Sequence, residues 1–335
     1  MTESNSHIKK IVSQLTSGLN PRNREIIGRR FGLKTGAKET LESIGVSYQI
    51  TRERVRQIEE ASLAQIRESL EGAGTQIRPF IVLAREILES SDGVVREDEL
   101  FSRFSGSSEE TPTNASLVFI LTLAKQFDRS LEDNDFHAFW SVTPERAEAF
   151  RSEVAQFVTM LEKQKQVMPE SEAMTPSLAS YLSVSKNIGK NVFNEVGLTS
   201  WPEIKPRGVR DKSFLVLKKE GAPKHFREIT QLINSANFGT RKAHVQTVHN
   251  ELIKDNRFVL VGRGIYGLSE WGYEPGTVKE VIANLLRSEG PQSKDKIIAH
   301  VMAARMVKPN TVVLGMQDKK LFQETAEGHI ALKEA

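Results

Sequence analysis

The chain has 335 residues, of which 39% are apolar and 27% charged, a composition typical of globular proteins and unlike that of disordered or fibrous ones. One hydrophobic core rarely serves so long a chain, so we expect two to four domains. The sequence has no cysteine, which excludes disulfides, cysteine zinc sites and thiol nucleophiles. A polar start and no run of about 18 apolar residues predict a cytoplasmic protein without a membrane span.

Charge is unevenly distributed along the chain. Residues 1–80 carry 13 Lys/Arg against 9 Asp/Glu, residues 81–180 carry 9 against 18, and residues 181–335 carry 24 against 16. Because phosphate attracts positive modules, this distribution favours nucleic-acid contacts at the two ends and disfavours them in the acidic middle. The alternative is that the three slices differ by chance.

Apolar residues at helical spacing predict two short helices, Ile8 to Leu15 and Arg22 to Phe31. A third helix is expected to begin after Thr40, a suitable N-cap, and to close at Gly45, which suits a left-handed C-cap. These three elements lead into a turn.

After the turn Val46 to Ile50, Thr51 is a second N-cap, followed by a longer helix from Arg52 to about Leu70. This arrangement is that of a helix-turn-helix. The residues predicted to pack inward are Val55, Ile58, Ala61 and Ile66, and those on the opposite face are Arg52, Glu53, Arg56, Gln57 and Glu60. Such side chains at the start of a helix suit base reading in the major groove. They equally suit a solvated face held by pairs such as Glu53 with Gln57.

Three runs, Arg22–Leu33, Thr40–Gly45 and Ile50–Ala61, resemble region 4 of the housekeeping bacterial sigma factors. In that family this module binds the promoter −35 element and rests on the flap of the RNA polymerase β subunit. The resemblance implies base readers at the start of the second helix and phosphate contacts from Arg54 and the loop around Lys38. The residues expected to contact DNA here are Lys38, Thr51, Arg52, Glu53, Arg54, Arg56 and Gln57.

In sigma factors, region 4 closes a longer chain that also recognises the −10 element and opens the DNA strands. Modules resembling those parts are not recognisable in the present sequence. We therefore expect a sigma-like protein that does not itself melt promoter DNA.

The last third of the chain contains an internal repeat at an offset of 64 residues. Thr247–Phe258 aligns with Thr311–Phe322, and Arg263–Glu270 aligns with Glu327–Glu334. Each copy is predicted to contain three helices and a hairpin, the layout of a winged helix. The helices expected are Phe214–Lys219, Phe226–Ile233, Val278–Arg287, Lys294–Met302 and one further helix in each copy.

An acidic third copy is predicted upstream, because Ser116–Phe127 matches Thr247–Phe258 at an offset of 131. Its expected elements are the helices Phe80–Leu88, Glu97–Phe104 and Ser116–Phe127 and a wing near Phe127 and Phe136–Val142. The acidity makes it a poor partner for phosphate, so we interpret it as a protein-facing or spacing module.

The clearest copy, in Gly221–Ile229 and Val259–Leu268, resembles the HARE-type winged helix. That family includes the N-terminal domain of the polymerase delta subunit and domains in chromatin and restriction proteins, so the resemblance implies DNA or transcription-complex binding. Candidate DNA contacts in this copy are Arg241, Lys242, His244, Gln246 and Arg263, and in the last copy Lys308, Asn310, Lys319 and Lys320. The alternative is a solvated helix start, since many winged helices bind protein.

A connector with helices near Arg151–Gln166 and Ser177–Ile188 precedes a basic loop, Leu198–Lys212. Trp201 in that loop is interpreted as a buried anchor and, alternatively, as a base-stacking residue. The fold class predicted is mainly α with small β wings. The domains are 1–75 helix-turn-helix, 76–148 acidic winged-helix-like, 149–210 connector, 211–273 HARE-type winged helix and 274–335 second repeat.

Nothing in the sequence indicates catalysis. The seven histidines are scattered, phosphate-binding glycine loops are not recognisable, and the glycines of Gly262–Gly264 suit a wing turn. The acidic groups Glu97–Glu99 and Asp133–Asp135 are interpreted as solvated surface and not as a magnesium site. We expect no enzyme activity, no cofactor and no bound metal.

The leading hypothesis is a DNA-binding transcription factor, sigma-like or associated with RNA polymerase, that binds double-stranded DNA at a −35-like element. We expect it to be associated with the nucleoid. We also expect a monomer, because no long heptad pattern is present. One alternative is a non-catalytic scaffold that binds polymerase subunits. Another is the DNA-recognition subunit of a restriction or phage-defence system.

Overall fold

The computed structural model describes residues 2–173 and 177–333. Residues 174–176 of the predicted connector and 334–335 of the last predicted repeat lie outside the described residues. The chain forms two compact units, Met1–Gly189 with Val196–Thr199, and Lys190–Glu195 with Ser200–Ala335. Helices dominate and all paired strands form small antiparallel sheets, which confirms the predicted fold class.

Unit 1 begins with α1 (Thr2–Thr16), α2 (Pro21–Phe31), α3 (Leu41–Tyr48) and α4 (Arg52–Glu89). The two predicted short helices are confirmed. Local chemistry sets the ends of α2, because the Asn20 side chain accepts the N–H of Asn23 and Gly32 ends the helix at a φ of 71°. Thr40 caps α3 by accepting the N–H of Ser43, as expected.

The predicted end of α3 at Gly45 is wrong. The helix continues to Tyr48, and Gln49 takes the left-handed C-cap position at a φ of 54°. Gly45 lies inside the helix, where a Cβ would stand 2.7 Å from the carbonyl oxygen of Ile50. Glycine is therefore required by the close approach of the next turn and not by the end of the helix.

The predicted end of α4 near Leu70 is also wrong. The helix extends over 38 residues, from Arg52 to Glu89. It contains Pro79 within its length. The helix expected at Phe80–Leu88 is its last part. One continuous helix thus passes through the expected domain boundary at 75/76.

The acidic part of unit 1 contains β1 (Val94–Arg96), α5 (Glu97–Ser105), α6 (Pro112–Ala124), β2 (Asp128–Ser130) and β3 (Phe139–Ser141). The strands form an antiparallel sheet in the order β1-β3-β2. This arrangement follows the winged-helix layout. The helix expected at Ser116–Phe127 begins earlier, because Thr111 caps it and Pro112 occupies its first turn.

A single hydrophobic core joins the acidic part to the first helices. It contains residues from α1, α2 and α4 together with α5, α6 and Trp140. The rings of Phe31 in α2 and Phe119 in α6 meet edge to face at 5.0 Å between centroids. Leu117, Phe119, Ile120 and Leu121 of α6 are completely buried. The helix-turn-helix and the acidic part therefore stabilise each other.

The predicted connector has more structure than two helices. It contains α7 (Pro144–Gln164), β4 (Met168–Pro169), a 3₁₀ turn (Glu170–Glu172), α8 (Leu178–Val184), β5 (Ile188–Lys190) and β6 (Glu195–Leu198). The sheet order is β4-β6-β5, which matches the first sheet in its connectivity. The segment thus follows the same order of elements with its second helix reduced to a single turn.

Unit 2 contains two further copies of this layout. The first has α9 (Val209–Glu220), β7 (Lys224–His225), α10 (Phe226–Ser235), α11 (Val245–Lys254), β8 (Phe258–Gly262) and β9 (Ile265–Leu268), with the sheet order β7-β9-β8. The second has α12 (Val278–Glu289), α13 (Lys294–Ala304), α14 (Pro309–Met316), β10 (Phe322–Glu324) and β11 (Ile330–Leu332). A bridge from Gln292 to Ile330 replaces the missing first strand.

The two copies in unit 2 have separate cores, one between α9 and β9 and one between α12 and β11. They meet at Arg305, whose side chain is buried. The Arg305 guanidinium donates to the carbonyl oxygens of Leu260 at 2.7 Å, Glu274 at 3.3 Å and Gly276. The joint between the copies is therefore polar, whereas the joint in unit 1 is apolar.

Candidate nucleic-acid interface

The first two turns of α4 expose the side chains predicted to read DNA. Arg52, Glu53, Arg54, Arg56 and Gln57 are all exposed. Val55, between them, is completely buried in a small core with Ile26 and Ile44, as predicted. The helix therefore presents a polar face outward while one apolar residue fixes its rotation.

Thr51 holds the start of this helix. Its side chain accepts the backbone N–H of Arg54 at 3.1 Å, which is the expected capping bond. Ala61 was expected to pack inward and is exposed instead, and its neighbours Ser62 and Leu63 are buried. The inward face is thus shifted by one to two residues after Ile58, where Leu63 packs in the core with residues of α1 and α6.

The exposed face is organised by its own hydrogen bonds. Arg56 donates to both oxygens of Glu53, at 2.9 and 2.7 Å, and also pairs with Glu60. Arg54 donates to Gln57 at 3.1 Å. The hydrogen bond from Arg56 lowers the pKa of Glu53, so this carboxylate is an acceptor across the neutral range. These bonds orient the side chains, as base reading requires, and they also satisfy the charges of a solvated face. The geometry therefore suits both interpretations of this face.

Residues at the start of α2 extend the candidate interface. An open groove of about 510 Å³ is lined by Arg54 and Gln57 from α4 and by Asn20, Arg22 and Asn23 from the start of α2. The Arg22 guanidinium lies 5.4 Å from the centre of the Tyr48 ring. Arg22 and Asn23 were not among the interface residues predicted from the sequence. The available signal was their position at the N-terminus of a helix that packs on α4.

Ion pairs between its elements stabilise the helix-turn-helix. Arg29 donates to both oxygens of Glu39 at 2.8 and 2.6 Å, and Arg30 donates to Glu59 of α4 at 3.1 Å. These bonds fix the α2–α3 loop against α4.

Lys38, from which the resemblance implied a phosphate contact, has a carboxylate partner within the chain. Its amino group lies 3.3 Å from the carboxylate of Glu97 in α5, with 22% of the side chain accessible. Burial lowers the pKa of Lys38, although the Glu97 charge opposes the shift. The physical reason is that the acidic part of unit 1 packs on this loop and offers a carboxylate where a phosphate was expected.

Glu97 is also not the solvated residue that was predicted. It is buried and accepts hydrogen bonds from Arg129 at 2.5 and 2.7 Å and from the Trp140 indole at 3.0 Å. Burial alone would raise the pKa of Glu97, but Arg129, Lys38 and Trp140 outweigh burial and lower it. The carboxylate is thus the centre of a buried ionic cluster.

Three other residues of the predicted acidic groups also have basic partners. Asp98 pairs with Arg96, Glu99 with Arg103, and Asp133 with Arg151. Within the described residues, His, Asp and Glu side chains form no group of three arranged to hold a metal ion.

In unit 2 the predicted contacts lie at two places in the first copy. Arg241, Lys242 and His244 are exposed in the segment that leads into α11, and Gln246 is exposed in its first turn. Arg263 is exposed in the turn between β8 and β9, next to Gly264 at a φ of 71°. Lys308, Asn310, Lys319 and Lys320 of the second copy are also exposed.

Trp201 is half-buried, and Ile204 beside it is buried. This burial favours the interpretation of Trp201 as an anchor.

Across residues 2–173 and 177–333, the helices are too short or too polar to cross a membrane.

Fold and site together define a helix-turn-helix module that exposes a polar face at the start of α4. Residues 17–68, which contain α2, α3 and this start, match the family model of Sigma-70, region 4. This part of the chain is a DNA-binding, transcription-related module.

Several sigma factors are similar to the same part of the chain. RNA polymerase sigma factor SigA of Nostoc sp. is 38% identical over 60 residues, or 18% of this chain and 15% of the relative. SigA1 of Synechococcus elongatus is 40% identical over 60 residues, with the same two shares. RpoS of Coxiella burnetii is 44% identical over 68 residues, 20% of this chain and 18% of the relative. The chain thus spans less than a fifth of the length of these curated relatives.

Proposed function

We propose that this protein is a non-catalytic transcription factor that reads a −35-like promoter element in double-stranded DNA through the start of α4. The observation that carries the proposal is the exposed face of that helix, where Arg52, Arg56 and Gln57 point to solvent within a module similar to sigma region 4. Arginine bonds guanine bidentately and glutamine bonds adenine, so these side chains suit base reading.

The geometry around α4 supports a specific orientation on DNA. Thr51 caps the helix, Val55 anchors it, and Arg22 and Arg54 flank the reading face beside the groove at the start of α2. Cations beside a reading helix suit the phosphates that border the major groove. Glu53 and Glu60 restrain Arg56, so base contact requires Arg56 to exchange a carboxylate for a guanine edge.

We extend the proposal to RNA polymerase as a protein partner, with unit 2 holding polymerase or upstream DNA through Arg241, Lys242, His244 and Arg263. The β flap is the polymerase part that the sigma-like module suggests. The apolar side of α1, α2 and α4 packs on α6 of this chain. Any polymerase contact must therefore use the surfaces that α6 leaves exposed.

A second candidate is a scaffold that binds polymerase subunits without reading DNA. The bonds that Arg56 makes to Glu53 and Glu60 favour it, because they satisfy the charges of the face internally.

Selection from a pool of random DNA duplexes separates the two candidates. The intact protein is expected to enrich a −35-like motif, and Arg56→Ala with Gln57→Ala is expected to enrich none. The matched control replaces Arg287 and Gln156, exposed residues far along the chain in α12 and α7, by alanine and should enrich the same motif as the native protein. If neither the intact protein nor the control variant enriches a motif while polymerase still co-purifies with the intact protein, the result favours the scaffold.

A further inference from the structure

The distal half of α4 forms one wall of a groove that the DNA-reading proposal does not use. The groove lies against the end of α6, has a volume of about 480 Å³, and is named here the α4 groove. Its lining residues are Arg67, Leu70, Ile77, Arg78, Ile81, Val82, Arg85, Leu123, Ala124 and Gln126. Among the described lining residues the floor is aliphatic and the charged side chains are all arginines.

The three arginines lie along one side of the helix. Arg67 and Arg78 are separated by 11 residues, close to three helical turns, and Arg85 follows after two more turns, so the row is about 27 Å long. Val82, 45% exposed, lies one turn beyond Arg78. A row of cations therefore borders a partly open apolar strip.

The arginines differ in how much of their hydrogen-bonding capacity is already used. Arg67 donates to the carbonyl oxygens of Leu123 at 3.1 Å and Thr122 at 3.2 Å, which are orphan carbonyls at the end of α6. Arg85 donates to Gln126 at 3.3 Å and stands 3.9 Å from Glu89.

Arg78 is exposed, and among the side chains that the structure describes it has no carboxylate partner. The guanidinium that lies midway along the row is thus available to a ligand.

A ligand for this surface must combine apolar side chains with negative charge. Phosphate groups of DNA supply the charge but leave an aliphatic floor uncovered. The groove also begins about 16 Å along α4 from Arg56, the distance that 11 helical residues span, so a duplex read at the start of the helix does not reach it. An amphipathic helix with apolar residues at i, i+3, i+4 and i+7 matches a floor that itself follows helical spacing.

We propose that the α4 groove docks an acidic amphipathic helix of a partner protein. Its apolar side chains cover Val82 and the partly buried Leu70 and Ala124, and its carboxylates pair with Arg78 and Arg85. Charge complementarity selects an acidic helix over a basic one, because the charged side chains among the described lining residues, Arg67, Arg78 and Arg85, are all cations. The proposal is independent of DNA reading, since it uses the opposite end of α4.

The test uses the full chain and a synthetic 18-residue helical peptide with leucines at i, i+3, i+4 and i+7 and glutamates elsewhere, carrying a fluorophore. Fluorescence anisotropy is expected to show saturable binding of this peptide and at least about tenfold weaker binding of a version with lysine in place of glutamate, a difference of about 1.4 kcal/mol. Arg78→Glu and Val82→Glu are each expected to weaken binding of the acidic peptide at least about tenfold. Arg78→Lys should retain most of it.

Matched controls are Arg287→Glu and Val192→Glu, which place the same changes on exposed residues outside the groove and should bind the peptide like the native protein. Circular dichroism of each variant shows whether the fold is kept, and the Arg78→Lys result supports the groove independently of any loss of fold.

Several results would overturn the proposal. These are no binding of the acidic peptide, equal binding of the lysine version, or unchanged binding by both groove variants. If Arg78→Glu weakens binding of a random duplex as much as it weakens binding of the peptide, the groove is a DNA surface. If the native chain forms a dimer that Arg78→Glu abolishes, the occupant is a second copy and not a partner protein.

Discussion

The two units join their neighbouring parts in different ways. In unit 1 the helix-turn-helix and the acidic part share one apolar core, and α4 belongs to both. In unit 2 each copy has its own core, and the side chain of Arg305 bridges them through backbone carbonyls. Neighbouring parts are thus fused through a common core in unit 1 and linked through a polar contact in unit 2.

The largest expected effect comes from cutting each unit at its joint. Residues 1–75 alone would expose apolar side chains such as Phe31 and Leu63, so we expect no cooperative unfolding transition, measured by circular dichroism in urea. Residues 1–199, which retain α6, should show one. Residues 274–335 contain a complete core and should also unfold cooperatively. A stable, cooperative 1–75 fragment would show that the shared core is not needed.

A smaller effect is expected from Glu97→Gln, which removes the carboxylate at the centre of the ionic cluster in unit 1. Because Arg129 and Lys38 would then be buried without a counter-charge, the free energy of unfolding should fall by about 3 kcal/mol at pH 7 in urea titrations. Glu99→Gln, which breaks an exposed pair with Arg103, should cost less than about 1 kcal/mol.

The pH dependence of this difference follows from the lowered pKa of Glu97. A carboxylate with a lowered pKa in the folded state contributes stability that is complete above the unfolded pKa of about 4.3 and is lost as the pH falls through the folded value. The difference between the native protein and Glu97→Gln should therefore be constant from pH 7 to pH 5 and shrink below pH 4. A difference that grows on acidification would contradict the assignment.

The smallest of these effects is expected at the polar joint of unit 2. Arg305→Met leaves three carbonyls without their donor, which should cost about 2 kcal/mol while both cores stay intact. Limited proteolysis should then cut faster between Trp271 and Val278. Arg287→Met, at an exposed site in α12, is the matched control. An unchanged cleavage rate in Arg305→Met would mean that Arg305 does not couple the copies.

Much of the local structure was predictable because the causes are local. Thr40 and Thr51 cap their helices with bonds to residues three positions away, so the residue types alone indicate the helix starts. The repeat at an offset of 64 predicted the two copies in unit 2, and the four helices that were given bounds begin within five residues of the expected positions.

The wrong or missing predictions concern places where residues far apart in the sequence determine the structure. The segment 71–75 contains Gly72 and Gly74, which disfavour a helix, but apolar residues on both sides of it pack into one core and α4 continues. The pairing of Lys38 with Glu97 was not predictable either, because the two residues are 59 positions apart. The α4 groove was missed for the same reason, since α6 completes it.

The central claim is that the start of α4 reads DNA, and salt-dependent affinity tests it most directly. We expect the affinity of the intact protein for its selected duplex to fall steeply with salt, by about 0.9 log units per phosphate contact for each log unit of salt concentration. Arg56→Ala with Gln57→Ala should lose the preference for that duplex but keep most of the salt dependence. Affinity that is indifferent to salt, or a preference that survives the double substitution, would contradict DNA reading by α4.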